Sequence, residues 1–160
     1  MISAVRSASH RSHRRLLIRI LGLDVGDRWI GVALSDPGGI LATPLVNIDR
    51  RAESDAIASI ADIVDRHDVG KIVVGLPRSM DGKVRQQAQK VEEFVGLLSA
   101  RIAVHVEYRD ERLSTVSAAR FMREARAGKP KNKIRDDSAA AAIILQGYLD
   151  QMRLESGEED

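Results

Sequence analysis

Cysteine is missing from all 160 positions, which excludes disulfides, thiolate zinc sites and cysteine nucleophiles. Aromatic residues make up only 3%, too few for a single-strand binder built on base-stacking platforms. No apolar run approaches the ~20 residues of a membrane span. The best of them, LLIRILGL (16–23), is broken by Arg19 and ends like a strand rather than a signal peptide. No serine occupies a G-x-S-x-G elbow, and the glycines of VVGLPRSMDG lack P-loop spacing. Four histidines occur, but His10 and His13 sit near the start, and His67 and His105 show no ligand spacing. A cytoplasmic protein is the expectation these absences set.

What is present is a globular composition, with 44% apolar and 30% charged residues, in a length that fits one domain with tails. The net charge of +2 is unevenly laid out. Residues 1–15 carry Arg6, Arg11, Arg14 and Arg15 and no acid, whereas 153–160 set Arg153 against Glu155, Glu158, Glu159 and Asp160. Both ends lack hydrophobic period, so 1–15 is expected to be a disordered basic arm and 153–160 a disordered acidic tail, flanking a folded domain at 16–152. The arm is either a nucleic-acid contact or, as is commoner for such runs, a solvated tail.

Between the tails the pattern changes part-way. Two apolar, β-rich runs at about 18–24 and 29–35 flank the turn Gly26-Asp27-Arg28 and predict a hairpin. Asp36-Pro37-Gly38-Gly39 predicts a second turn, and ILATPLVNI a third strand that Pro44 assigns to an edge or a bulge. Helical spacing follows in 54–67 (Ile57, Ile60, Ala61, Val64), with Ser54 as N-cap. KIVVGLP is a short strand, 83–100 a helix with Val84, Ala88, Val91, Val95 and Leu98 on one face, and IAVHVEY a last strand. A helix over 114–126, a Gly-Lys-Pro loop at 127–135 and a final helix from about 137 to 152 complete an α/β order, β-β-β-α-β-α-β-α-α. Meander first and alternation afterwards means a mixed sheet with helices on its faces.

Three carboxylates could do chemistry. Asp24 ends an apolar strand, where a buried charge is costly unless a metal or the adjacent turn satisfies it. Glu111 lies in Tyr108-Arg109-Asp110-Glu111-Arg112, a charged strand end that is either solvated surface or a site, with Asp110 as the substitute ligand. Asp137 stands at the expected start of the alanine-rich helix, where it is an N-cap or a metal ligand, and its neighbour Asp136 could take whichever of those parts it leaves. From Arg120 to Arg135 seven basic residues face the single acid Glu124. Such a run is a solvated helix face or a phosphate-binding surface. Cations beside an acidic cluster suit cleavage of a polyanion, the metal at the scissile phosphate and Lys and Arg on its neighbours.

LGLDVGDRWIGVALSD, VVGLPRSMDG, DERLST and DDSAAAAIILQGYLD, in this order over about 18–152, resemble the bacterial pre-16S ribosomal RNA nuclease family of the YqgF type, related to Holliday-junction resolvases. The resemblance implies a ribonuclease H-like α/β fold: a five-stranded mixed sheet, its first three strands antiparallel, with helices on both faces. It implies catalytic and metal-binding roles for Asp24, Glu111 and Asp137, which would hold one or two Mg²⁺ or Mn²⁺ ions. It also implies a metal-dependent nuclease that matures the 5′ end of small-subunit ribosomal RNA in the cytoplasm. Arg112, Arg126, Lys129, Lys131, Lys133 and Arg135 are the expected nucleic-acid contacts, with Asp110 and Asp136 as further candidates. Structured precursor rRNA is the expected substrate and a DNA four-way junction the alternative. A non-catalytic rRNA-binding or transcription-associated adaptor is a different class, and it would tolerate loss of the carboxylates. An actin-like nucleotide binder also opens with D-x-G, but it needs two such domains. Monomer and homodimer both fit the sequence.

Overall fold

The computed structural model describes residues 18–77, 82–110 and 130–157, with backbone alone for 130–136. The expected hairpin forms from β1 (Arg19–Val25) and β2 (Trp29–Ser35), closed by the Gly26 N–H donating to the Trp29 carbonyl at 2.9 Å. β3 (Ala42–Asp49) adds to β2 antiparallel. The register there slips, from Val32 opposite Val46 to Ala33 opposite Pro44, so Leu45 is the extra residue of a bulge. Pro44 thus sits on an edge strand and beside a bulge, the two places where a missing N–H is tolerated.

The chain then crosses the sheet. α1 (Glu53–Arg66) leads to β4 (Val69–Leu76), which lies parallel to β1, and α2 (Gly82–Arg101) leads to β5 (His105–Asp110), parallel to β4. The last described helix is α3 (Pro130–Glu155). The sheet has five strands in the order β3-β2-β1-β4-β5. Parallel neighbours cannot be joined by a tight turn, so each parallel pair costs a helical crossover.

Strand alternation divides the core in two. Leu21, Leu23 and Val25 of β1, with Ile30 and Val32 of β2 and Ile72 and Val74 of β4, face α1 and α2, where Ile60, Val64, Phe94 and Leu98 meet them. On the opposite face α3 lays Ala141, Ile144, Leu145 and Leu149 over Ala33 and Val73, with Ile20 packed alongside. β1 is buried from both sides, which is why its sequence reads as nearly continuous apolar residues. Among the described residues no helix is long and apolar enough to cross a membrane.

Three expectations change. α1 starts at Glu53 after Ala52, with no side-chain cap, so Ser54 lies inside the first turn. Acid at Glu53 and Asp55 complements the helix dipole there instead. α3 starts at Pro130, absorbing 130–135 of the expected loop, because proline's fixed φ and missing N–H suit a first helical position. Asp137 is therefore an interior helical residue and not an N-cap. At the other end α3 runs through Glu155, three residues into the expected tail, and closes on Gly157 at φ 73°. The helix expected over 114–126, the arm and residues 158–160 lie outside the described residues.

The β2–β3 turn is held by Asp36, whose Oδ1 accepts from the Leu41 N–H at 2.8 Å and the Ile40 N–H at 2.7 Å. The Leu41 bond, above all, lowers the Asp36 pKa from its ordinary value, with the Ile40 bond adding to it. A depressed carboxylate contributes stability above its unfolded pKa, about 4, and loses it as pH falls through the folded value. Asp36→Asn should therefore unfold with a shallower pH dependence below about pH 4, measured by urea titrations across that range. A second substitution should gain stability: Gly96, exposed in α2, would place a Cβ within 4 Å of nothing. Gly96→Ala should raise the unfolding free energy by about 0.5–1 kcal/mol, read from denaturant midpoints.

Candidate active site

Asp24 is the next-to-last residue of β1 and is 2% exposed. Its parity is that of Ile20 and Gly22, so its side chain belongs to the face covered by α3 and not to the α1–α2 core. Its cross-strand partner is Gly31. Directly over Gly31 lies α3: a Cβ built on that glycine would overlap the Asp137 carbonyl oxygen and stand 2.9 Å from the Ser138 nitrogen. Paired residues in an antiparallel ladder are about 5 Å apart. The backbones of Asp24 and Asp137 therefore meet across one strand spacing. Asp137 is 8% exposed, so both carboxylates are buried.

The meeting point is the edge at which strands β1, β4 and β5 all end. Leu23 pairs with Val74, and Gly75 with Arg109, so the parallel strands point their carboxyl ends the same way. Open α/β sheets bind ligands outside this edge. α3 runs antiparallel to β1, from Asp137 at this edge, past Gly22 at Ala141 and Leu145, to Lys71 at Tyr148.

The other expected site residues divide into three groups. Asp110 pairs with Leu76, a core residue of the α1–α2 side, so alternation turns Asp110 to the face opposite Asp24. Glu111, Arg112, Arg126 and Lys129 lie outside the described residues. Lys131, Lys133, Arg135 and Asp136 are in α3, where position 133 precedes Asp137 by one turn. Position 136 adjoins Asp137 within the helix.

Two buried aspartates on backbones this close offer hard, oxygen-only donors, which suit Mg²⁺ or Mn²⁺ better than a soft transition metal. A divalent cation would offset the like charge gathered there. Among the described residues no three carboxylate or imidazole groups form a metal cluster.

The far half of α3 carries contacts that no local signal announced. Gln146 accepts from the Ala42 N–H at 2.8 Å and donates to the Ile40 carbonyl at 2.9 Å, tying the helix to the start of β3. Lys71 Nζ bonds the Tyr148 hydroxyl at 2.9 Å and lies 3.7 Å from Glu107. The Tyr148 hydroxyl, and then Lys71, hold the Glu107 pKa low, while the bond to Tyr148 raises that of Lys71. Arg109 lies over Gly147 and bonds Gln151 at 2.7 Å. Each pair is distant in sequence, so only the glycine at 147, unusual inside an apolar helix, hinted at a close approach.

Comparison with known proteins gives this geometry a family. The sequence profile of RuvX, a Holliday junction resolvase family, matches residues 18–151. The chain belongs to that family. A relative from Clostridium botulinum (strain Hall), named "Putative pre-16S rRNA nuclease", is 44% identical over 135 residues, covering 84% of this chain and 98% of its own. A Dehalococcoides mccartyi relative of the same name is 47% identical over 127 residues, 79% of this chain and 94% of its own. Among solved structures, T. thermophilus RuvC in complex with a Holliday junction substrate superposes with a TM-score of 0.54 at 14% identity, covering 88% of this chain and 97% of that one. That likeness is one of fold, and it agrees with the ribonuclease H-like sheet expected from the sequence. This RuvX-family chain is a nuclease, an enzyme hydrolysing phosphodiester bonds.

The burial of Asp24 beside Asp137 has a measurable consequence. In chelator, Asp24→Asn removes a buried charge while keeping the volume, so its melting temperature should equal or exceed the parent's. A fall of several degrees, by calorimetry, would mean that the carboxylate is held by structural bonds alone.

Proposed function

We propose that this nuclease is metal-dependent and cleaves precursor 16S ribosomal RNA at its 5′ end in the cytoplasm, with Asp24, Glu111 and Asp137 as catalytic ligands for one or two Mg²⁺ or Mn²⁺ ions. The observation that carries the reading is the seating of Asp137 over Gly31, opposite buried Asp24, at the carboxyl edge of the parallel strands. Glu111 is the proposed third ligand. It stands next in sequence to Asp110, the last residue of β5, and lies in the DERLST motif that carries the family resemblance. The names of the C. botulinum and D. mccartyi relatives support the RNA substrate.

When bound, the ions would activate water and stabilise the leaving oxygen. The protein's own part is positional. Asp24 is fixed by a central strand, and Asp137 by a helix packed along the whole sheet, so both donors sit on rigid elements. Basic residues supply substrate affinity: Arg126, Lys129, Lys131, Lys133 and Arg135 would follow the phosphate backbone, with Arg112 and Lys133 nearest the scissile phosphate. Lys131, Lys133 and Arg135 belong to a helix rather than a loop, so their spacing would be fixed by its 1.5 Å rise.

A DNA four-way junction is the second reading, favoured by the family description. Incubating the protein with precursor 16S rRNA and with a four-way junction, with and without Mn²⁺, separates the two. The expected outcome is Mn²⁺-dependent RNA cleavage that Asp24→Asn abolishes. Junction cleavage without RNA cleavage makes the protein a resolvase, and binding without cleavage of either makes it an adaptor. Replacing Lys129, Lys131 and Lys133 with alanine should weaken RNA binding and flatten its log-salt slope by about two to three units, measured by filter binding. Saturating turnover should change far less, because the carboxylates are untouched.

A further inference from the structure

The sheet face under α3 is unusually bare where the helix crosses it. Gly22 and Gly31 sit on neighbouring strands with the same orientation, followed by Ala33, and none of the three fills the space a larger side chain would. The helix answers with small residues, Ser138, Ala140 and Ala141, all buried. Its backbone consequently lies against the strands. A Cβ on Gly22 would meet the Leu145 Cβ at 2.7 Å and the Ala141 carbonyl oxygen at 3.0 Å, and one on Gly31 would overlap the Asp137 carbonyl outright. Neither glycine has a positive φ, so backbone conformation does not demand glycine at either position. Close approach does.

This closeness matters because aspartate is a short ligand, with one methylene between backbone and carboxylate. For Asp137 to share an ion with Asp24, the helix backbone itself must come down to the sheet. We propose that Gly31 is a positioning residue for Asp137, setting the depth at which the helix carboxylate meets the strand carboxylate, and that Gly22 supports the same seating one turn further along. The inference rests on the metal-site reading above and names what builds that site. The far end of α3 is pinned separately by Gln146 to Ala42 and Ile40. A methyl group at position 31 therefore tilts the Asp137 end, some nine residues or about 14 Å from the pin, instead of sliding the whole helix. Relieving the overlap requires a retreat of about 1 Å, the scale of misplacement that costs a site its chemistry.

The test uses the full chain and Mn²⁺ alone, titrated calorimetrically into the parent, Gly31→Ala, Gly22→Ala and Gly96→Ala, each checked for a cooperative melt. Gly31→Ala should bind Mn²⁺ at least about ten-fold more weakly and turn over precursor rRNA about 100-fold more slowly. Its RNA affinity in chelator should stay within about two-fold of the parent's, since the basic residues remain. Gly22→Ala should show the same change, smaller, and it decides the matter if Gly31→Ala does not fold. Gly96→Ala, whose Cβ meets nothing, should match the parent in Mn²⁺ affinity. A folded Gly31→Ala, or failing that Gly22→Ala, with parental Mn²⁺ affinity would overturn the proposal, even if its melting temperature fell. A parent that binds no Mn²⁺ would overturn the metal-site reading itself, a result visible before any variant is compared.

Discussion

The contact between α3 and the glycine-lined face of β1 and β2 is the constraint on which the rest of the site depends. A carboxylate on the covered face of a central strand is expensive, and Asp24 is almost wholly shielded from water. The helix that shields it also lays the Asp137 backbone over Gly31, the cross-strand partner of Asp24. Had the sheet presented ordinary β-branched residues there, α3 would ride higher and Asp137 would end short of its partner. Small residues on both surfaces exchange some apolar burial for closeness, and the larger side chains Leu145, Ile144 and Leu149 restore packing further along.

Much of the fold was legible because its signals are local. The hairpin turn Gly26-Asp27-Arg28 and the alternation of apolar periods fix β1, β2 and the crossovers without long-range information. Pro44 announced an edge or a bulge, and the structure has both, an edge strand with its register slip at Leu45. The failures were also local in origin. Ser54 looks like a cap, but the helix enters two residues earlier, on Ala52 with no side-chain cap. Lys129-Pro130-Lys131 looks like loop punctuation, yet proline at 130 opens the helix.

The candidate site was half legible. Asp24 and Asp137 stood out as carboxylates at element ends, and the structure brings their backbones together, although Asp137 lies inside its helix. The choice between Asp110 and Glu111 turns on strand phase, which the pairing of Asp110 with Leu76 makes plain for the first of them. Gly31 could not be read at all. A glycine in a strand signals close approach by something, but the partner is a helix segment far along the chain, and no spacing rule links them.

The attachment of α3 also bears on when in the life of the chain the enzyme exists. Ala42 and Gln146, which clasp the helix to the sheet, are 104 residues apart, and the helix is the last described element to leave the ribosome. The hairpin, α1, β4, α2 and β5 have all emerged by then, with one sheet face completed and the other, around Ile20, Ala33 and Val73, still bare. Such late, non-local closure is slow compared with the local folding before it. A nascent chain therefore carries Asp24 on an open, water-filled face with no second carboxylate from α3 beside it. On the proposed site, the second carboxylate joins Asp24 only when the C-terminal helix closes over the sheet.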